Sequence, residues 1–263
     1  MTTATLKENA KQILAKTYWM SLVAYIIQST IVGTVTGTIS SLTTGFTVFA
    51  EIGTIFSFSE GNPGLSPLYF GGYTLGWILG TVLNIAITIF GANILSVGLN
   101  LFLINSRNTL KPELMDLFKP FNKKTYMNTV VVMLMQQLYI FLWSLLFIVP
   151  GIIKALEYFM VPFIAAENPS ISYQRALEIS SNTMNGEKGF LFELYLSFIG
   201  WVLLVVFCTC GVGVIFLIPY MQATLTEYYT YLKVKALTTG LATSEDFGGM
   251  VSSEASAPAA ATV

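Results

Sequence analysis

The sequence predicts an all-α, polytopic transmembrane bundle of about six spans in three hairpins, each hairpin preceded by a cytoplasmic amphipathic helix. Three observations predict it. Hydrophobic residues make up 54% and charged residues 10% of the 263-residue chain, where a soluble domain carries charge on roughly a quarter of its residues. The apolar residues fall in runs near the ~20 residues that cross a ~30 Å hydrocarbon core, which leaves no room for a large soluble domain. The 13 Lys and Arg gather in a few connecting segments although the net charge is only -1, so charge is read loop by loop.

Residues 1 to 17 place Leu6, Ala10, Ile13 and Leu14 on one helical face and Lys7, Glu8, Lys11 and Lys16 largely on the other, the pattern of a helix lying on a membrane surface. The run from Tyr18 to about Ser41 is too long for a signal-peptide core and has no small-residue exit site, so it reads as a retained first span. Within it Ser29, Gly33, Gly37 and Ser41 form a stripe of small residues that lets another backbone approach, with Gly72, Gly76 and Gly80 of the second span as the expected partner. The alternative is glycine tolerated at random in a membrane helix. Residues 42 to 71 contain Gly, Pro, Ser, Thr, Glu51 and Glu60 but no Lys or Arg, the composition of an outer loop. Phe46, Phe49, Phe56 and Phe58 imply that it rests against the bilayer.

The second apolar segment, Tyr73 to Ile104, would measure about 48 Å as one helix, so it must tilt, protrude or kink near Gly91. Asn84, Asn93 and Asn100 lie inside it, and the spacing of Asn93 and Asn100 puts them on one face. They line a polar path or, more simply, form interhelical hydrogen bonds. Arg107, Lys111, Lys119, Lys123 and Lys124 then mark a cytoplasmic loop. In it Leu110, Leu114, Leu117, Phe118 and Phe121 predict a second surface helix, with Pro112 in its first turn and Pro120 as terminator.

Met127 to Val149 is the third span, bounded by Pro150-Gly151. Whether Ile152 to Ala166 crosses back decides the topology. If it does, every basic residue except Lys154 lies on the side of the N-terminus, so the positive-inside bias favours six crossings with both termini cytoplasmic. A re-entrant or interfacial segment is the competitor. The cost of crossing is Lys154, Glu157 and Pro162; the two charges, three residues apart, are expected to pair near the outer boundary.

After Asn168-Pro169, a helix capped by Ser170 or Ser172 presents Tyr173, Leu177, Ser180 and Met184 on one side. Phe190 to about Cys210 and Val212 to about Leu232 form the last hairpin, with Cys208 and Cys210 read as packing cysteines. The Ala/Ser-rich tail, 238–263, is expected to be disordered, leaving 1–237 as a single membrane domain. The order surface helix, span, span recurs three times, giving possible repeats 1–105, 106–168 and 169–237.

Leu142-Trp143, Ile148 to Leu156, Ala166-Glu167-Asn168-Pro169, Arg175-Ala176, Gly186 to Lys188, Leu196 to Trp201, Pro219-Tyr220 and Glu227-Tyr228-Tyr229 together resemble the bacterial integral membrane proteins labelled domain of unknown function 975. The resemblance covers about Lys111 to Leu232. It implies a multispanning protein of the bacterial cell membrane and, by its label, no established activity. Where members often carry His between the Gly and Lys of a Met-x-Gly-x-Lys motif, this chain has Glu187. The chain is also distantly similar to the membrane portions fused to some glycerophosphodiester phosphodiesterases.

Charges at membrane depth are the candidate functional residues: Lys154, Glu157, Glu193 and Glu227, with Asn93 and Asn100 beside them. An antiparallel last hairpin brings Glu193 and Glu227 to similar depth. Facing each other away from water they would share a proton or bind a cation; hydrated, or paired with Lys188 and Lys233, they would be structural. With no histidine, no Gly-rich phosphate loop and no soft ligands beyond Cys208 and Cys210, neither a catalytic constellation nor a cofactor is expected. The expected partners are the bilayer, its anionic headgroups and a second copy or a transporter subunit, with no nucleic acid. Amphiphile handling or transport association leads the functional expectations. A structural or regulatory role in envelope stress or peptide resistance follows, then lipid modification by Glu193 and Glu227.

Overall fold

The computed structural model describes residues 2–59, 66–108 and 113–249, and their regular structure is helical throughout. Helix α1 is Thr3–Ser59 and α2 is Ser66–Ile87; a π turn at Thr88–Ala92 leads into α3, Asn93–Asn108. A 3-10 helix, Leu114–Phe121, precedes α4, Tyr126–Leu146, α5, Ile148–Glu157, and α6, Val161–Glu167. Then come α7, Tyr173–Thr183, α8, Lys188–Thr209, α9, Val214–Thr238, and a last 3-10 turn, Glu245–Phe247. Five stretches are long and apolar enough to cross a membrane: Thr17–Ser41, Thr74–Arg107, Tyr126–Leu146, Ile148–Glu167 and Lys188–Thr209. The protein is an all-α polytopic membrane protein. Helix α9, the expected sixth span, is not among the five: between Gln222 and Tyr231, that glutamine, three threonines, three tyrosines and Glu227 dilute the apolar run that opens it, and its C-terminal part is largely buried.

The chain divides into two compact units, one of Met1–Ile26 with the chain from Ile94 onward, the other of Ile27–Asn93. In the second, the expected outer loop 42–71 is largely helical, since α1 continues to Ser59 and α2 starts at Ser66. No proline occurs before Pro63 to break the hydrogen-bond ladder. The π turn falls at Gly91, where excess length predicts a kink. Glu60, Leu110, Lys111, Pro112 and 250–263 lie outside the described residues, as do the side chains at Lys16, Phe46 and 49–73.

In the first unit α4 and α5–α6 form an antiparallel hairpin. At its tip Gly151 meets Ser144 so closely that a Cβ on Gly151 would lie 2.8 Å from the Ser144 Cα. Further back, Gln136 donates to the Tyr158 carbonyl at 3.1 Å. At the base Asn128 donates to the carbonyls of Pro169 and Ile171 at 2.9 and 2.7 Å. Residues 148–167 thus return along the length of α4.

This returning segment is broken at Tyr158–Met160. Pro162 cannot donate to the carbonyl of Tyr158, four residues back, and Gln136 takes that acceptor instead. The neighbouring orphans go to α7: Ser180 donates to the Glu157 carbonyl at 2.7 Å and accepts from the Met160 N–H at 3.2 Å. A broken helix at membrane depth is tolerated when protein satisfies the freed backbone groups in this way.

Two expected surface helices differ from their reading. Residues 3–17 are the start of α1 and not a separate surface element: Leu6, Ala10 and Leu14 are buried, Ala10 and Leu14 pack with Ala223 of α9, and Lys7 donates to Ser197 over the ring of Phe198 in α8. Burial, then Lys11, pushes the Lys7 ammonium below its usual range. The face was correct, but protein covers it. Between α3 and α4 the helix is 3-10, with three residues per turn rather than 3.6. The predicted stripe therefore divides: Leu117 and Pro120 turn inward, while Met115, Phe118 and Phe121 align outward.

Helix α7 is capped by Ser172, whose hydroxyl accepts from the Arg175 N–H at 3.3 Å. The tail does not lose structure at Thr238. Residues 239–249 fold back as a clasp, with Phe247 fully buried. Arg175 grips Asp246 through Nε at 3.2 Å and Nη2 at 3.0 Å, and Asn168 donates to the Glu245 carbonyl at 3.0 Å. The hydrogen bonds from Arg175 hold the Asp246 carboxyl below the usual carboxylate range. Gly248, at φ +72°, sits where a Cβ would be 2.6 Å from the Glu167 carbonyl oxygen, so both its backbone angle and its space require glycine.

Candidate functional site

The polar groups of the first unit converge on α9 and the ends of the helices around it. Glu227 is buried, and its Oε1 accepts from Arg107 Nε of α3 at 2.7 Å. Two residues on, Tyr229 donates its hydroxyl to Glu167 Oε2 of α6 at 2.6 Å, and one turn later Lys233 Nζ reaches Glu167 Oε1 at 2.7 Å. The side chains of Lys233 and Glu167 are 4% and 3% exposed. Phe163 stacks on Tyr229 with centroids 4.7 Å apart, which fixes the phenol against the carboxylate. On the neighbouring side Lys235 meets Glu187 at 2.8 Å, and Tyr228 donates to the Glu187 carbonyl at 3.2 Å.

Glu157 anchors a second group. It accepts from Lys154 at 2.7 Å, Lys188 at 2.6 Å and Ser181 at 2.7 Å, so α5, α7 and α8 meet on one carboxylate. Lys154 also lies 5.4 Å from the Trp143 ring centroid. The expected Lys154–Glu157 pair forms, inside the bundle and joined by Lys188.

Residues 147–236 match the family model described as Protein of unknown function (DUF975). Neither a curated protein nor a solved structure matches the chain. The matched region opens at the α4–α5 turn and closes near the end of α9, so it holds Glu157, Glu167, Glu187, Glu227, Tyr229 and Lys233. Arg107, which completes the Glu227 pair, lies before it, as does Gln136.

Glu193 and Glu227 do not face each other. Glu193 is exposed on α8 and has no ion-pair partner among the described residues, while Glu227 turns to α3. The pairing of those acids with Lys188 and Lys233 is likewise replaced, by Glu157 and Glu167. Asn100 is buried in α3 and Asn93 half-buried at its first position, whereas Asn84 donates to the Gly80 carbonyl of its own helix at 3.2 Å. The small-residue stripe is open: Ser29, Gly33, Gly37 and Ser41 are exposed, and a Cβ on Gly33 or Gly37 would meet nothing within 4 Å. Its hydroxyls need no partner helix where they bond back, as Ser41 does to the Gly37 carbonyl at 2.8 Å. Gly76 and Gly80 are half-buried, and the surroundings of Gly72 are outside the described set. Cys208 and Cys210 are exposed instead of packed.

Sequence reasoning missed Glu167, Glu187, Arg107 and Lys235 as members of the site, taking the basic ones as topology markers, and assigned Lys188 and Lys233 to other acids than Glu157 and Glu167. The signal was present in the near balance of 13 basic and 14 acidic residues within so apolar a chain, since buried charges occur in pairs. Among the described residues no three His, Cys, Asp or Glu side chains gather as a metal site. Chemically the arrangement is a set of neutralised pairs that fix helix register, and the low-dielectric surroundings make breaking any one of them costly.

Proposed function

We propose that the protein is a non-enzymatic module of the bacterial cell membrane, six-spanning with both termini cytoplasmic, that holds anionic amphiphiles at the membrane surface. The carrying observation is the outward face of the 3-10 helix: Met115, Phe118 and Phe121 are 67%, 43% and 41% exposed, with Lys119, Lys123 and Lys124 exposed beside them. Apolar side chains next to ammonium groups match an acyl chain joined to an anionic headgroup. Basic residues on segments that begin or end at the base of the α4 hairpin support the orientation.

The full-length protein in phosphatidylcholine nanodiscs, titrated with lysophosphatidylglycerol and with lysophosphatidylcholine, tests this. The anionic amphiphile should bind more tightly, and Lys123→Gln with Lys124→Gln should weaken it about thirtyfold, given ~1 kcal/mol per basic residue near such a surface. Equal affinities, or no response to the double variant, would sink the reading.

A second reading, a structural or regulatory membrane protein, is favoured by the ion pairs at Glu157, Glu167, Glu187 and Glu227, which tie helices together. Lipid modification by Glu193 and Glu227 loses its support with their separation.

A further inference from the structure

Behind the Arg107–Glu227 pair lies a small cavity of about 10 Å³, lined by Ile13, Leu14, Thr17 and Ser21 of α1, Leu103, Ser106 and Arg107 of α3, and Ala223, Thr226 and Glu227 of α9. All of it belongs to the first unit. Its volume is close to that required by one water centre.

The walls specify what fits. Thr17 donates to the Ile13 carbonyl at 3.1 Å, Ser106 to that of Phe102 at 2.7 Å and Thr226 to that of Gln222 at 2.9 Å. With their protons committed to their own helices, these three hydroxyl oxygens offer only lone pairs. Ser21 is different. It is 3% exposed and makes no hydrogen bond among the described residues, yet it lines the cavity. Its hydroxyl is not one of the fully enclosed polar groups, so its proton and lone pairs are open to a molecule in that space.

We propose that this cavity is a binding site for one ordered water, held between Ser21 and the Arg107–Glu227 pair. Water donates twice to acceptor-only oxygens and accepts from the Ser21 O–H, which no other species of this size does. An ammonium or sodium ion would meet the Arg107 guanidinium at short range, and an anion would find hydroxyls whose protons are already directed elsewhere and a carboxylate among them. The bound water gives buried Glu227 a hydrogen-bonded connection past Arg107, 27% exposed, so this pair exchanges with solvent while the Glu167–Lys233 pair stays dry. The inference is independent of amphiphile binding.

Pulsed X-ray radiolysis of the full-length protein in nanodiscs, read by mass spectrometry, tests it, because a bound water becomes a local source of hydroxyl radical. Leu103, which lines the cavity, should be oxidised at least severalfold faster than Leu101 of the same helix, which is no less exposed, at 8% against 6%, and does not line it. Ser21→Val, which fills the space, should bring Leu103 down to the Leu101 rate, and Ser21→Ala, which removes only the hydroxyl, should lower it partway. Equal Leu103 and Leu101 rates in the wild-type protein would overturn the proposal without any variant having to fold. So would a Leu103 rate that Ser21→Val leaves unchanged.

Discussion

The Phe247 ring stands over the Lys233 ammonium, with 5.3 Å between Nζ and the ring centroid, and so covers the Glu167–Lys233 pair from the side of the tail. The residue comes from a segment whose composition gives no hint of a core position. The clasp puts a fully buried aromatic ring against a buried cation, an arrangement favourable by about 2 kcal/mol or more when desolvated.

Replacing Phe247 by Ala should therefore destabilise the protein by about 3 kcal/mol, the low end for emptying a buried aromatic site. Thermal unfolding in detergent measures it. A shift indistinguishable from zero would mean that the clasp does not pack as described.

The pair beneath it should behave non-additively. Lys233→Met alone leaves Glu167 buried beside Tyr229 and should cost about 3–5 kcal/mol, whereas Lys233→Met combined with Glu167→Gln should recover much of that loss. A double-mutant cycle in which the two effects simply add would contradict the shared environment.

Beside Gln136, Ser180 supplies two of the bonds that close the break in the fourth apolar segment, to the Glu157 carbonyl and from the Met160 N–H. Ser180→Ala should cost about 1–3 kcal/mol because a carbonyl and an N–H lose their partner together. Hydrogen exchange at the Met160 amide should accelerate in step, and unaltered exchange there would argue that another group closes the break.

The clasp should open in acid. Arg175 lowers the Asp246 carboxyl in the folded protein, so this group contributes stability above its ordinary unfolded value and loses it as pH falls through the lowered, folded one. Limited proteolysis of residues 240–249 should thus stay slow through mildly acidic pH and rise only below the ordinary Asp range. In Asp246→Asn the clasp should be cut readily at neutral pH with no such acid step.

Much of the architecture was legible because it rests on local chemistry. Apolar run length located the crossing helices, and the pattern Leu6, Ala10, Leu14 named the correct buried face. That pattern does not state what covers the face, since a bilayer surface and Ala223 of α9 are both apolar. The stripe after α3 was misread for a different reason: a 3.6-residue period was applied where the backbone winds at three. The charged site was hidden by distance, as Glu167 and Lys233 are 66 residues apart and each alone is only a charge beside an apolar run. Clasp residues such as Asp246 and Phe247 lie in an unpatterned sequence whose order comes entirely from Arg175, Asn168 and the core they meet.

The stitching of α5 to α6 by Ser180 bears on how the protein is made. Gln136 precedes the break in the chain but Ser180 follows it, so until α7 has been synthesised the Glu157 carbonyl and the Met160 amide lack their partner and depend on water. The packing of the earlier segment is thereby completed only by a later one, which couples its folding to the synthesis of α7.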